Sequence, residues 1–266
     1  MTDSRAARVQ ALVAEQAARR GGRVSVADVC AAAVAAALAS GAGLTAASKL
    51  RAGHVMCVTD EVSERLEELE LTLGEGPCQD AYTSGGPVLI SDLGAADIAA
   101  RWPGFTPAAR AAGAAAIFTF PLRIGAIRAG VLSLYRSRAV PLSPVELGDA
   151  LLLTDTAALL LLDGQDQARW DPVEGTAHTA RTMSTARTAQ AGPGGQPAQL
   201  ALHRAEIDQA TGMLTEQLGV GIEEAFVRLR AYAYSHDRRL TDVARDIVGG
   251  RLRLRLDPSP PADSTV

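Results

Sequence analysis

Lysine is almost missing from this chain. Lys49 stands alone, and arginine supplies every other cation. The formal net charge is −4, so the chain as a whole is not built to hold a polyanion by bulk charge. Cysteine is scarce too. Cys30, Cys57 and Cys78 have spacings that fit no metal-ligand set, and their odd number argues against a full disulfide framework. A reducing cytoplasm is the compartment this predicts. Long hydrophobic runs are absent. The nearest, residues 29–44, is mostly alanine, is shorter than the ~20 residues a span needs, and has Asp28 at its edge. It reads as a cytoplasmic helix, not a membrane or signal segment. No Walker loop, Gly-x-Ser-x-Gly elbow or His-Glu-x-x-His motif occurs, and Gly74-x-Gly76 lacks the third glycine of a dinucleotide loop. No enzyme is expected.

What is present is a hydrophobic content of 47% in 266 residues, enough for two cored domains. Two helices open the chain. One covers residues 3–20 and ends at Gly21-Gly22. The other runs from a capping box of Ser25 and Asp28 to about Ser40, with Gly41 and Gly43 expected to end it. The period then changes repeatedly. Residues 44–50, 54–59, 87–91, 116–123 and 130–135 read as strands. Between them, residues 61–72 read as a helix with Leu66, Leu69 and Leu73 on one face and a crowd of glutamates. Pro77 suits the first position of a short helix, and Ser143-Pro144 with Glu146 opens a last one that reaches about Leu162. Helices set among strands of a mostly antiparallel sheet predict an α+β domain over residues 44–163.

This order of elements resembles a GAF domain, a small-molecule sensor fold. The phrases that carry the resemblance are Leu73-Gly74-Glu75-Gly76-Pro77-Cys78-Gln79-Asp80-Ala81, Asp92-Leu93, Arg101-Trp102-Pro103, Phe120-Pro121-Leu122 and Leu134-Tyr135-Arg136. They are similar to those of GAF domains found in actinobacteria. The resemblance implies a small-molecule ligand in this domain but names none. The Asn-Lys-Phe-Asp-Glu signature of cyclic-nucleotide-binding members is absent. His54 is a candidate haem ligand, although a strand histidine is more often structural. Cys78, at a helix start, is a candidate reactive thiol, although no histidine is placed as its base and a buried structural cysteine is the commoner case.

Residues 164–198 hold few large apolar groups and read as a flexible linker, and residues 256–266 as a disordered tail. Between them lie three amphipathic helices. Leu200, Ile207 and Leu214 fall seven apart, with Ala210 and Leu218 between and beyond, a near-heptad stripe that offers a dimer seam. Gly212 interrupts this helix, which suggests close packing or a ligand against its backbone. Gly219 ends it, and Gly221 caps the next, whose apolar face is Ile222, Ala225, Phe226, Leu229 and Ala233. Thr241 is the expected cap of the third, and Gly249-Gly250 stops it.

Residues 199–255 resemble the ANTAR domain, the RNA-binding three-helix module of transcription antiterminators. Ile207, Gln209-Ala210-Thr211-Gly212-Met213-Leu214, Gly219, Glu224-Ala225-Phe226, Leu229-Arg230, Ala233, Leu240, Val243-Ala244 and Ile247-Val248 carry the resemblance. Thr211 stands where members often have lysine, and Gly221 where a serine usually caps. The resemblance implies a homodimer that binds RNA stem-loops to prevent termination.

Charge supports it. Residues 228–255 carry eight arginines and three acids, against one arginine and five acids in residues 199–227. Expected RNA contacts are Gln209, Thr211, Gly212, Arg228, Arg230, Tyr232, Arg238, Arg239 and Arg245. Guanidinium groups beside aromatic rings suit unpaired loop bases. Two rivals stand beside this reading: a DNA-binding regulator, because three short helices also describe helix-turn-helix modules, and a redox sensor acting through Cys78.

Overall fold

The computed structural model describes residues 2–47, 53–170 and 195–254, with side chains from residues 4–47, 53–163 and 202–254. The chain forms two compact units, Met1–Leu202 and His203–Val266. In the first, α1 (Thr2–Arg20) and α2 (Val26–Ala36) precede β1 (Gly41–Ala46) and β2 (His54–Val58). Then come α3 (Glu61–Leu73), α4 (Pro77–Ser84), β3 (Val88–Ile90), α5 (Ala96–Arg101) and α6 (Phe105–Ala111). A hairpin of β4 (Ala116–Ile124) and β5 (Ile127–Arg136) leads into α7 (Pro144–Trp170). All pairings are antiparallel, in the order β2-β1-β5-β4-β3. This is the expected α+β sheet with helices on both faces.

One face of the sheet packs on α1, α2 and α7. Leu44, Phe118, Phe120, Leu122, Leu132 and Leu134 meet Val9, Val13, Val29, Leu153 and Leu161 there. The other face carries Ile117, Val131 and Tyr135 against Leu66 and Leu69 of α3, Trp102 just after α5, and Phe105 of α6. Two expected caps of this unit hold. The Asp28 carboxylate accepts from the backbone N–H and hydroxyl of Ser25 and is paired with Arg20 at 2.7 Å. The Ser143 N–H donates to Glu146 at 2.6 Å.

Several expectations need correction. Gly41 and Gly43 do not end a helix but lie inside β1. A Cβ on Gly41 would collide with Asp60, Tyr135 and Ser63, and one on Gly43 with Glu67. These glycines leave room for acidic side chains reaching across the sheet, so the first strand begins at residue 41, not 44. The last helix continues past Leu162 through residues 163–170, and the next begins at Gly195. The expected linker therefore gives up residues at both ends, while residues 171–194 and the tail from 255 lie outside the described residues. The sulfurs of Cys30 in α2 and Cys57 in β2 are joined, leaving Cys78 unpaired with another cysteine. An odd count leaves room for one bridge. Among the described residues, no helix is long and apolar enough to cross a membrane.

Candidate nucleic-acid interface and sensor cavity

The second unit is built from α8 (Gly195–Leu218), α9 (Ile222–Ser235) and α10 (Leu240–Val248). Its core is the set of apolar side chains that recur three and four apart. Ala210, Leu214 and Leu218 come from α8, Ala225, Phe226, Leu229 and Ala233 from α9, and Leu240, Val243, Ala244 and Ile247 from α10. Leu254 closes the end. Its carbonyl accepts from Gln217 at 2.8 Å, which ties the chain beyond α10 back to α8. Gly221 caps α9 with extended backbone, as expected. Thr241 does not cap α10. Arg239 holds that position, because Asp237 takes a left-handed turn (φ 48°) and the helix starts at Leu240.

This core changes the reading of several residues. Leu214 is fully enclosed and Leu218 nearly so, so both belong to the unit's own interior and neither is open as a dimer seam. Ile207 is partly exposed, and the side chain of Leu200 lies outside the described residues. Thr211 is also fully buried, and its hydroxyl donates to the Ile207 carbonyl at 2.7 Å. Its side chain belongs to the unit's interior. Gln209 and Gly212 are exposed, and a Cβ on Gly212 would meet nothing within 4 Å. No packing within the described chain accounts for that glycine.

The cations gather with aromatic rings at the α9–α10 turn. The Tyr232 and His236 rings stack, with centroids 3.9 Å apart and planes 18° from parallel. Next to them Arg238 pairs with Asp246 at 2.6 Å, and Arg251 pairs with the same carboxylate at 2.7 Å. One acid thus gathers two guanidinium groups. They in turn hold Asp246 below the usual carboxylate range, while Asp246 raises Arg238. Arg245 spans Glu206 of α8, three residues before Gln209, and Asp242 of its own helix, each at 3.1 Å. Arg228 pairs with Glu224 at 2.6 Å. Arg230 lies over the Phe226 ring, 5.7 Å from its centroid, and burial lowers its basicity. Arg239 is exposed at the start of α10.

The surface is therefore cationic but mostly self-paired. Surface ion pairs of this kind contribute about 0–1 kcal/mol, so a phosphate can replace a carboxylate at small cost. Tyr234, one of the aromatic rings interleaved with the arginines, and Val227, which the sequence reading passes over, share an open face. Tyr234 is 64% exposed and Val227 57%, seven residues apart on one face of α9. Their spacing is visible in the sequence, but only the packing shows that this face is left open.

Residues 199–248 match the ANTAR domain. The match spans the three helices just described and ends with α10. No curated protein matches the chain. Outside the ANTAR unit, the chain is similar to the GAF domain of a phosphoenolpyruvate-protein phosphotransferase from Coxiella burnetii. That likeness has 13% identity and a TM-score of 0.48, covering 62% of this chain and 98% of that one. It is also similar to the GAF domain of the Acinetobacter phosphoenolpyruvate-protein phosphotransferase, at 10% identity and a TM-score of 0.44, covering 60% and 97%.

The N-terminal unit carries a small cavity of about 50 Å³ lined by Thr45, Ala46, Ala47, Gly53, Cys78, Gln79, Tyr82, Gly130 and Val131. Two buried acids from α3 stand behind it. Glu67 accepts from Thr45 at 2.6 Å and Ser133 at 2.9 Å. Glu70 accepts from the backbone N–H groups of Cys78 at 2.8 Å and Gln79 at 3.3 Å. Gly76, at φ 141°, lies against Glu70 where any Cβ would collide with it. Burial raises both acids, Glu70 further because Glu67 is close. Burial and the two glutamates push the Cys78 thiol well up, so it stays protonated and is a poor nucleophile. This environment does not favour the redox reading through Cys78. His54 lies partly buried on the edge strand β2. Among the described residues no three His, Cys, Asp or Glu side chains gather to hold a metal.

Proposed function

We propose that this chain is an RNA-binding transcription antitermination regulator. The ANTAR unit binds RNA stem-loops, and the N-terminal unit, through its small cavity, takes a small-molecule signal. The observation that carries this is the match over residues 199–248 together with the arginine and aromatic cluster on the same helices. Gln209, Gly212, Arg228, Arg230, Arg238, Arg239 and Arg245 are the proposed contacts, with Tyr232 and Tyr234 as stacking surfaces. Thr211 leaves the set because it is buried. Arginines released from Asp246, Glu206 and Glu224 would meet phosphates, and loop bases would stack on rings. The tandem stem-loop target that the ANTAR resemblance implies calls for two copies of the chain, pairing elsewhere than at Leu214 and Leu218. Such a regulator works in the cytoplasm, where transcripts are made. Gel shifts with hairpin RNA and with duplex DNA of the same sequence test the proposal. Binding confined to the duplex would replace it with a DNA-binding regulator.

A further inference from the structure

The joined sulfurs of Cys30 and Cys57 lie at a particular place in the fold. Cys30 belongs to α2, in the helical layer, and is fully buried. Cys57 lies in β2, the edge strand of the sheet, and is 5% exposed. Among the described residues, edge strand β2 is hydrogen-bonded on one side only, to β1, and that pairing slips register between Leu44 and Thr45. Like β3 at the other edge, it can detach by breaking its ladder bonds to a single neighbour. The same hairpin supplies Thr45, Ala46, Ala47 and Gly53 to the cavity wall. No residue of β2 itself lines the cavity, but Gly53 immediately precedes it and Thr45 and Ala46 pair with it, so a covalent tie between α2 and β2 holds this part of the wall in place.

We propose that Cys30 and Cys57 are a reversible dithiol–disulfide site that clamps this edge strand in response to thiol redox state. The oxidant class is a disulfide, either low-molecular-weight or on a partner dithiol protein. When β2 opens, the Cys57 thiolate attacks one sulfur of that disulfide, forming a mixed disulfide and releasing one thiolate. The Cys30 thiolate then attacks the Cys57 sulfur and releases the second. Two protein thiols lose two electrons and two protons, and the oxidant leaves as two thiols. Cys57 reacts first because it stands on the strand that opens. Cys78 takes no part, since its thiol is held protonated between Glu70 and Glu67. This inference concerns what the N-terminal unit senses, so it rests on the sensory half of the proposed function. It needs no RNA, and its test fails or succeeds independently of RNA binding.

The test uses the full chain exposed to glutathione disulfide and, separately, to dithiothreitol. Thiols are counted after denaturation, and the pairing is read by mass spectrometry of unreduced peptides. Of three cysteines, one is expected to titrate after oxidation and three after reduction. The bridge closes a loop across a sequence separation of 27, so reduction should lower the melting temperature of the N-terminal unit by about 10 °C. Amide exchange across residues 53–58 should rise at the same time. Cys57→Ala and Cys30→Ala should each abolish both responses to reductant. Reduction acts on the unmutated chain, so the proposal stays testable if either variant folds poorly. Three free thiols after oxidation, or a bridge that uses Cys78, would overturn it. So would a bridge whose reduction leaves exchange at residues 53–58 unchanged.

Discussion

Replacing Phe226 with alanine should unfold the ANTAR unit while leaving the N-terminal unit folded. Phe226 is 6% exposed and, among the described residues, is the one aromatic ring buried in this unit, whose other buried side chains are alanine, leucine, isoleucine, valine and Thr211. Losing a buried phenylalanine typically costs about 3–5 kcal/mol. The contact with the Arg230 guanidinium, 5.7 Å from the ring, contributes about 0.5–1 kcal/mol more. A unit of about 50 residues has a total stability of about 3–8 kcal/mol at 0.05–0.15 kcal/mol per residue. The loss consumes most or all of it. Calorimetry should then lose one transition and keep the other. Fluorescence of Trp102, 2% exposed in the N-terminal core, should report an unshifted melt of the first unit. An unchanged thermogram would refute the packing argument. Joint loss of both transitions would refute the independence of the two units.

Three further outcomes follow from particular interactions. Asp246→Asn frees Arg238 and Arg251, so hairpin RNA should bind more tightly, with a salt slope steeper by about 0.7 for each additional phosphate neutralised; weaker binding would mean that Asp246 orients the two arginines for RNA. Glu67 and Glu70 are raised above their unfolded values, so their contribution is fully present below pH about 4.5 and is lost as pH rises through their folded values. Glu67→Gln with Glu70→Gln should flatten that decline, and pH-dependent melts identical to wild type would show that neither acid binds a proton on folding. Gly43→Ala drives a methyl group into Glu67 and should destabilise the N-terminal unit by about 1–3 kcal/mol in urea melts, with Glu67→Ala restoring part of the loss; a stability equal to wild type would contradict the close approach.

The alternation of strands, the three C-terminal helices and most caps are legible in the sequence, because each rests on neighbours a few residues apart. Ser25 with Asp28 and Ser143 with Glu146 are such local signals. The burial of Glu67 and Glu70 is not legible. A glutamate-rich helix has the pattern of a solvated face, and only the sheet's Thr45, Ser133 and Gly43 across the chain make room for the acids. The dimer stripe fails for a related reason. A heptad spacing marks a face to be buried but does not say whether the cover is a second chain or, as for Leu214, two helices of the same unit. The arginines can be found by count. Arg228 with Glu224 is an i,i+4 pair that spacing gives, but that Arg238 reaches Asp246 and Arg245 reaches Glu206 depends on turns no spacing rule gives.

The central claim is that the ANTAR unit recognises RNA through hairpin loops. In vitro selection with the full chain, from a pool of hairpin RNAs with randomised loops, tests it most directly. The selected hairpins should then be titrated at several salt concentrations beside duplex DNA of the same sequence. The account predicts enriched loop sequences and preference for hairpin over duplex. It also predicts that Arg238→Ala with Arg239→Ala flattens the salt slope by about 0.7 for each phosphate left without its arginine. A pool that never enriches, or a chain that binds the duplex as tightly as the hairpin, would contradict it.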